Sequence, residues 1–255
     1  MMASDIHSHH KALLKPLRDA LYDYDAGHVK ASLAALFASD AKIHLSYPFE
    51  TMDGADVLFT KVFEPLQQAI PDLERRDTIV IAGSTGFYMG SFVQPWLDIP
   101  PTGHQVGMRF HEFYRFENDQ VVEVQALWDI PELMMQANAW PMAPSLGREW
   151  LVPAPATMDG IVTSGYDAER SAASCQHVVE MLEYLVKHPA QGGPEVMQME
   201  RFWHSKMSWY GPAGIGTARG ASGFRNWHQI PFLNAMPDRG QHEDEITHHF
   251  FGDSQ

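Results

Sequence analysis

The segment EFYRFENDQVVEVQALWD, residues 112–129, concentrates side chains suited to moving protons. It reads as two strands joined at Asn118 and Asp119, residue types that tolerate the positive φ of a two-residue turn. With that turn Glu117 pairs with Gln120. Continuing the pairing sets Met108 opposite Asp129, Phe110 opposite Leu127, Glu112 opposite Gln125 and Tyr114 opposite Glu123. Opposed residues share a face. One face then carries Met108, Phe110, Glu112, Tyr114, Glu123, Gln125, Leu127 and Asp129, and the other Arg109, His111, Phe113, Arg115, Val124, Ala126 and Trp128. An apolar face with a few convergent polar groups has the composition of a small-ligand pocket. A carboxylate desolvated on such a face keeps its proton to higher pH, which suits general acid or base work near neutrality. Two carboxylates brought close could share a proton. The same spacing also fits an exposed face whose acids are solvated.

Other reactive side chains compete for attention. His44, on a strand-like run, could supply an imidazole, and reads equally well as a core or surface histidine. Tyr47, Phe49, Phe87 and Trp96 could shape a pocket for a ring, although most aromatics simply fill a core. The chain holds 14 histidines. Neither HSHH (7–10) nor HEDEITHHFF (242–251) has a recognisable metal-ligand spacing, so no metal is expected. WYGPAGIGTARG is glycine-rich without a phosphate-loop pattern, and reads as a loop. Cys175 precedes a helix with no evident base beside it, which argues against a nucleophile.

These groups need a scaffold, and 255 residues suffice for one large domain or two small ones. Apolar residues make up 45% and charged residues 20%, a globular balance. The net charge of -14 argues against nucleic acid or an anionic membrane as partner. One cysteine permits no internal disulfide and fits a reducing compartment. The opening MMASDIHSHHKALLK lacks the apolar centre of a signal peptide, and no apolar run reaches the ~18 residues of a membrane helix. A soluble cytoplasmic protein is expected.

Residues 1–10 read as a mobile tail. A helix is expected from Lys11, with Pro16 in its first turn and Gly27 at its end. A short second helix carries Val29, Leu33, Leu36 and Phe37, and the strand AKIHLSYPF follows. A third helical pattern runs from Gly54 through Val57, Leu58, Val62, Leu66 and Ile70, kinked or interrupted at Pro65. DTIVIAG, GFYMGSFV, GHQVGMRFHEFYRF and QVVEVQALWD are strands, and PELMMQANA is a closing helix. This order implies an α+β fold, a curved antiparallel sheet packed on helices. Residues 141–172 read as a linker, and helical spacing resumes at Val178, Met181, Leu182 and Leu185.

The segment GASGFRNWHQIPFLNAMPD (220–238) repeats GADVLFTKVFEPLQQAIPD (54–72) at an offset of 166, matching Gly54, Ala55, Pro65, Ala69, Pro71 and Asp72. YPFETMDG parallels YGPAGIGTARG with a small insertion. The counterpart of Asp129 would fall near 129 plus 166, or 295, past Gln255. The second unit is therefore expected to lack strands. Either the chain is a shortened form of a longer protein or another subunit covers the open edge.

GADVLFTKVFEPLQQAIPDL, IPPTGHQVGMRFHEFYRFENDQVVEVQALWD and the trailing PELMMQ resemble the SnoaL-like polyketide cyclase family, within the nuclear transport factor 2-like fold. The resemblance covers 11–140 as a complete cone-shaped domain and 173–255 as a partial second copy. It implies a curved sheet wrapped round helices, with an apolar pocket inside. It also implies cofactor-independent acid/base chemistry that closes a ring in a polycarbonyl substrate by intramolecular aldol condensation. In that comparison Asp129 matches the family's acid/base aspartate. Glu112 stands where His or Asp is frequent, and Gln125 where Trp is common. The catalytic set implied is Asp129, Glu112 and His44, with Tyr47, Phe87, Met108, Phe110, Tyr114 and Gln125 around the substrate. The departures at Glu112 and Gln125 leave a second reading, a non-catalytic binding protein for a small hydrophobic ligand. A homodimer is expected, because the fold often pairs its sheets and the second unit has an open edge.

Overall fold

The computed structural model describes residues 6–81, 83–149, 153–158, 161, 166–237, 249–250 and 252. The chain divides into two compact units. The first comprises Met1–Pro141 and Trp150–Tyr166 with Gln255, and the second Met142–Glu149 and Asp167–Ser254.

In the first unit α1 (Ile6–Tyr22) buries Leu14, Leu17 and Leu21, one stripe at helical spacing. The helix starts earlier than the sequence suggests. Residues 6–10 are not a loose tail, because His10 stacks on Phe116 and His9 Nε2 lies 2.8 Å from Asp119 Oδ1. Pro16 consequently sits inside the helix, where its ring removes one backbone bond. Gly27 does not end α1. It lies inside α2 (Ala26–Leu36), whose first turn is capped by Asp25 Oδ1 accepting from the His28 N–H at 2.8 Å.

β1 (Phe37–His44) and β2 (Thr51–Asp53) form a short hairpin. The third helical run is continuous but changes pitch: α3 (Ala55–Leu58), a π-helical turn (Phe59–Phe63) and α4 (Glu64–Ala69). The wide turn lies just ahead of Pro65, which has no N–H to give, so the helix widens there rather than breaking. β3 (Glu74–Val80), β4 (Gly83–Ser91), β5 (Gln105–Glu117) and β6 (Gln120–Trp128) follow as a meander, and α5 (Ile130–Gln136) closes the unit.

The six strands make one sheet, ordered β2-β1-β6-β5-β4-β3. The α+β class holds, with one difference: β1 runs parallel to β6, so the sheet is mixed. Parallel neighbours need a long connection, and the helices and four strands between β1 and β6 supply it. One contiguous core joins the stripes of α1 and α2, the helical run from Ala55 to Ala69, and the inner face of the sheet. Fully buried Val29, Ile43, Val62, Leu66, Phe110 and Leu133 lie in it.

The second unit contains α6 (Ala168–Leu185), capped by Asp167, a 3-10 turn (Pro194–Met197) and α7 (Met199–Phe202). A two-stranded ribbon, β7 (Ser208–Trp209) with β8 (Ala218–Arg219), follows. The unit goes on through α8 (Gly220–Phe224), a π-helical turn (Arg225–Gln229) and α9 (Ile230–Ala235). The stretch read as a linker, 141–172, is shared between the units, and α6 already begins at Ala168. The acidic, histidine-rich run 242–251 lies outside the described residues except for His249 and Phe250.

Candidate functional site

The β5–β6 hairpin has the expected turn, with φ of 49° at Asn118 and 63° at Asp119, and Glu117 pairs with Gln120. Beyond that pair the register slips by one. Phe116 opposes Val121, but Arg115 opposes Glu123, leaving Val122 as a bulge residue. Every later pair is displaced: Tyr114 faces Val124, Glu112 faces Ala126 and Phe110 faces Trp128. A one-residue slip turns a strand over. The inner face therefore joins Met108, Phe110, Glu112 and Tyr114 to Val124, Ala126 and Trp128. Glu123, Gln125 and Leu127 move to the outer face with Arg115, Phe113 and His111.

On the inner face Glu112 is 4% exposed and accepts from four donors. Trp128 Nε1 (2.9 Å) and Tyr88 O–H (3.1 Å) donate to its Oε1. Arg75 Nη1 (2.8 Å) and the Tyr114 hydroxyl donate to its Oε2. Arg75 is itself 2% exposed and stacks over the Phe110 ring at 4.2 Å. Its Nε donates to Asp77 Oδ1 at 3.1 Å, and Arg18 Nε of α1 reaches Asp77 Oδ2 at 2.8 Å. Arg75 Nη2 also lies 3.0 Å from Asp77 Oδ1, at an angle too poor for a hydrogen bond. A buried carboxylate thus meets a buried guanidinium inside a chain of charges that alternates in sign, the condition under which ionised groups survive burial. Burial lowers the Arg75 pKa, but Glu112, Tyr88, Tyr114 and Asp77 together outweigh it and hold the guanidinium protonated well above its ordinary range. Burial pushes the Tyr88 and Tyr114 hydroxyls well above 10.0, and the Glu112 charge pushes further. Both are proton donors at any physiological pH.

This cluster forms one end of a cavity between the helices and the sheet. Leu17, Leu21, Leu33, Ile43, Leu58 and Phe63 wall its apolar side, with Phe37, Leu45, Val124 and Ala126, while Arg75, Glu112, Tyr114 and Trp128 supply the polar end. About 20 Å³ is open to a water-sized body, room for about one or two waters, against ~300–1,000 Å³ for a drug-sized ligand.

Glu112 and Tyr114 meet at the cavity, while Met108 and Phe110 are core residues of the same face. His44 pairs with Gln125 in the β1–β6 register, on the outer face, and its Nδ1 lies 2.9 Å from Thr51 Oγ1. Gln125 donates to Glu123 Oε1 at 2.6 Å. Tyr47 is 82% exposed, and Phe87 faces outward against the Arg109 guanidinium, 5.9 Å away. Asp129 is buried at the start of α5, where its Oδ1 accepts from the Glu132 N–H at 3.2 Å and its own N–H donates to the Arg109 carbonyl at 2.8 Å. It therefore caps a helix, and the cavity wall is built from other side chains. Among the described residues no group of three or more His, Cys, Asp or Glu could hold a metal ion, and no helix is long and apolar enough to cross a membrane.

Sequence reasoning missed Arg75, Asp77, Tyr88 and Trp128. Nothing in ERRD separates Arg75 from the exposed Arg76 beside it. The alternating Val124, Ala126 and Trp128 did signal an inward face, against the register extrapolated from the turn.

Residues 17–137 match the family model of the SnoaL-like polyketide cyclases and form a SnoaL-like domain. Solved structures similar to this chain include AclR of Streptomyces galilaeus, described as "a putative hydroxylase": 20% identity over 54% of this chain and 86% of that one, TM-score 0.46. A "putative SnoaL-like polyketide cyclase" from Jannaschia sp. CCS1 is 18% identical over 56% of this chain and 99% of that one, TM-score 0.44. IdmH of Streptomyces antibioticus, "a putative polyketide cyclase", is 20% identical over 51% and 98%, TM-score 0.41. No curated protein matches the chain.

Proposed function

We propose that the SnoaL-like domain binds a small polycarbonyl molecule in its interior cavity and closes a ring in it by intramolecular aldol chemistry. The observation that carries this reading is Glu112, a carboxylate at the polar end of an otherwise apolar cavity, ringed by hydroxyl and guanidinium donors. A CH₂ between two carbonyls is acidic enough to be deprotonated without a metal. Glu112 takes that proton, and the Tyr114 hydroxyl donates to the enolate oxygen. The carbanion forms a C–C bond to a second carbonyl of the same chain, and the resulting alkoxide recovers the proton from Glu112. Holding the chain folded contributes much of the rate. Entry of the substrate requires side chains of the cavity wall to move aside, since the cavity admits little more than water. Under this reading Asp129 orders α5 rather than transferring protons.

The test is a linear tri- or tetracarbonyl compound, with ring closure followed by absorbance and binding by tryptophan fluorescence. Turnover that disappears in Glu112→Gln while binding persists supports the reading. Undiminished turnover in that variant removes Glu112 from the chemistry.

A second reading, a binding protein without catalysis, is favoured by the four donors that already occupy both oxygens of Glu112. A base needs a free lone pair. Binding of the compound by the wild-type chain without conversion would select this reading. Self-association belongs to either version, since Phe113 and Leu127 are 43% and 50% exposed on the outer sheet face. A monomer in sedimentation would remove it.

A further inference from the structure

The backbone of the second unit follows that of the first at one constant interval. In the SnoaL-like domain Lys42 pairs with Asp53 and Ile43 with Met52. In the second unit Ser208 pairs with Arg219 and Trp209 with Ala218, each residue 166 places further on. The Gly54 N–H donates to the Ala41 carbonyl at 2.8 Å, and the Gly220 N–H to the Met207 carbonyl, also at 2.8 Å. Both glycines have positive φ, 81° and 65°. A Cβ on either would meet the carbonyl oxygen of the residue fifteen earlier, Ser39 at 3.0 Å and Ser205 at 3.2 Å. The π-helical turns Phe59–Phe63 and Arg225–Gln229 correspond end to end, as do Glu64–Ala69 and Ile230–Ala235. The helices that precede the hairpins end alike, with the Phe37 N–H on the Leu33 carbonyl and the Trp203 N–H on the Met199 carbonyl.

A chance likeness between two proline-containing helices does not reproduce hairpin register, a left-handed glycine, a rare π-turn and both helix ends at one offset. No insertion is needed between the hairpins, although the sequences there align poorly. We infer that residues 199–236 are a second copy of residues 33–70, the helix-and-hairpin half of a SnoaL-like cone, lying outside the matched family segment 17–137.

The copy is not a duplicate of the site. Ile43, Leu58 and Phe63 wall the cavity in the first unit, and their counterparts are Trp209, Phe224 and Gln229. Trp209 packs edge-on to Phe224, centroids 4.9 Å apart. Gln229 is 2% exposed and turns its Nε2 to the Met197 sulfur at 2.9 Å. Two aliphatic side chains of the wall have become aromatic, and its Phe63 ring has become an amide.

The test grafts residues 54–70 in place of 220–236 in the full chain. A second in-register graft keeps His228 and Gln229, so that local packing alone cannot cause failure. A control graft carries the same segment displaced by one residue. Amide exchange at Trp203 and along α6 is measured for each, with thermal unfolding. At least one in-register graft is expected to keep native protection and to melt within about 5 °C of the parent, while the displaced graft loses both. Equal behaviour of in-register and displaced grafts, or loss of protection in both in-register grafts, would overturn the inference.

Discussion

Glu112 lies opposite Ala126 across the β5–β6 hairpin, one place away from Gln125. That displacement, produced by one bulge residue, decides which side chains the carboxylate meets. In the unslipped register it would share a face with Gln125 and Asp129. In the observed one it accepts from Trp128, Tyr88, Tyr114 and Arg75.

Breaking the buried pair should be costly from either side. Glu112→Gln and Arg75→Met are each expected to lose about 3 kcal/mol in urea unfolding, because each strands a buried partner. The double replacement Glu112→Gln with Arg75→Met should lose less than the two single losses summed. Strict additivity would show that the pair is not coupled.

Asp129 should behave as a helix cap. Asp129→Ala is expected to cost about 1 kcal/mol and Asp129→Asn much less, since Asn also accepts from the Glu132 N–H. Any ring-closing turnover should survive in Asp129→Asn. Its abolition with the fold intact would return the acid/base role to Asp129.

The buried tyrosines should titrate late. Tyr88 and Tyr114 are raised well above 10.0, and burial with nearby Glu64 and Asp25 lifts Tyr24 to about 12. A raised tyrosine pKa contributes stability that is complete below pH 10 and lost as pH rises beyond it. Absorbance at alkaline pH should show these three ionising only well above pH 10 or on unfolding. Tyr88→Phe and Tyr114→Phe should each remove one late transition. A variant that instead removes an early transition would show that its hydroxyl is not buried beside Glu112.

His111 sets an acid limit. Burial first, then the Arg109 charge, lowers its pKa below 6.5, and its Nδ1 lies 2.9 Å from Thr85 Oγ1. The folded state resists protonating it, so stability is full above pH 6.5 and declines as pH falls through the lowered native value. His111→Gln should flatten the decline below pH 6.5 in unfolding measured across pH. An unchanged slope would assign the acid sensitivity to other groups.

The elements were legible where a periodic pattern met a local stop signal. The stripe of Leu14, Leu17 and Leu21, the Asn118–Asp119 turn and the four strands after Leu73 are local facts, and so is the family they compose. Where two local signals disagreed, extrapolation failed. The turn fixed one register, the apolar alternation of Val124, Ala126 and Trp128 demanded the other, and the bulge at Val122 reconciled them.

By itself the sequence determined the α+β order of elements, the hairpin turn and the repeated helical pattern, because helix periods, strand alternation and turn chemistry act between residues close along the chain. Only the tertiary structure decided which charges are buried together. Arg75 and Arg76 are the same residue type side by side, yet one is 2% exposed beside a carboxylate 37 places away and the other faces solvent. Desolvation and charge pairing depend on distance through space. The Glu112 cluster therefore existed only once β3 through β6 had closed over the helices.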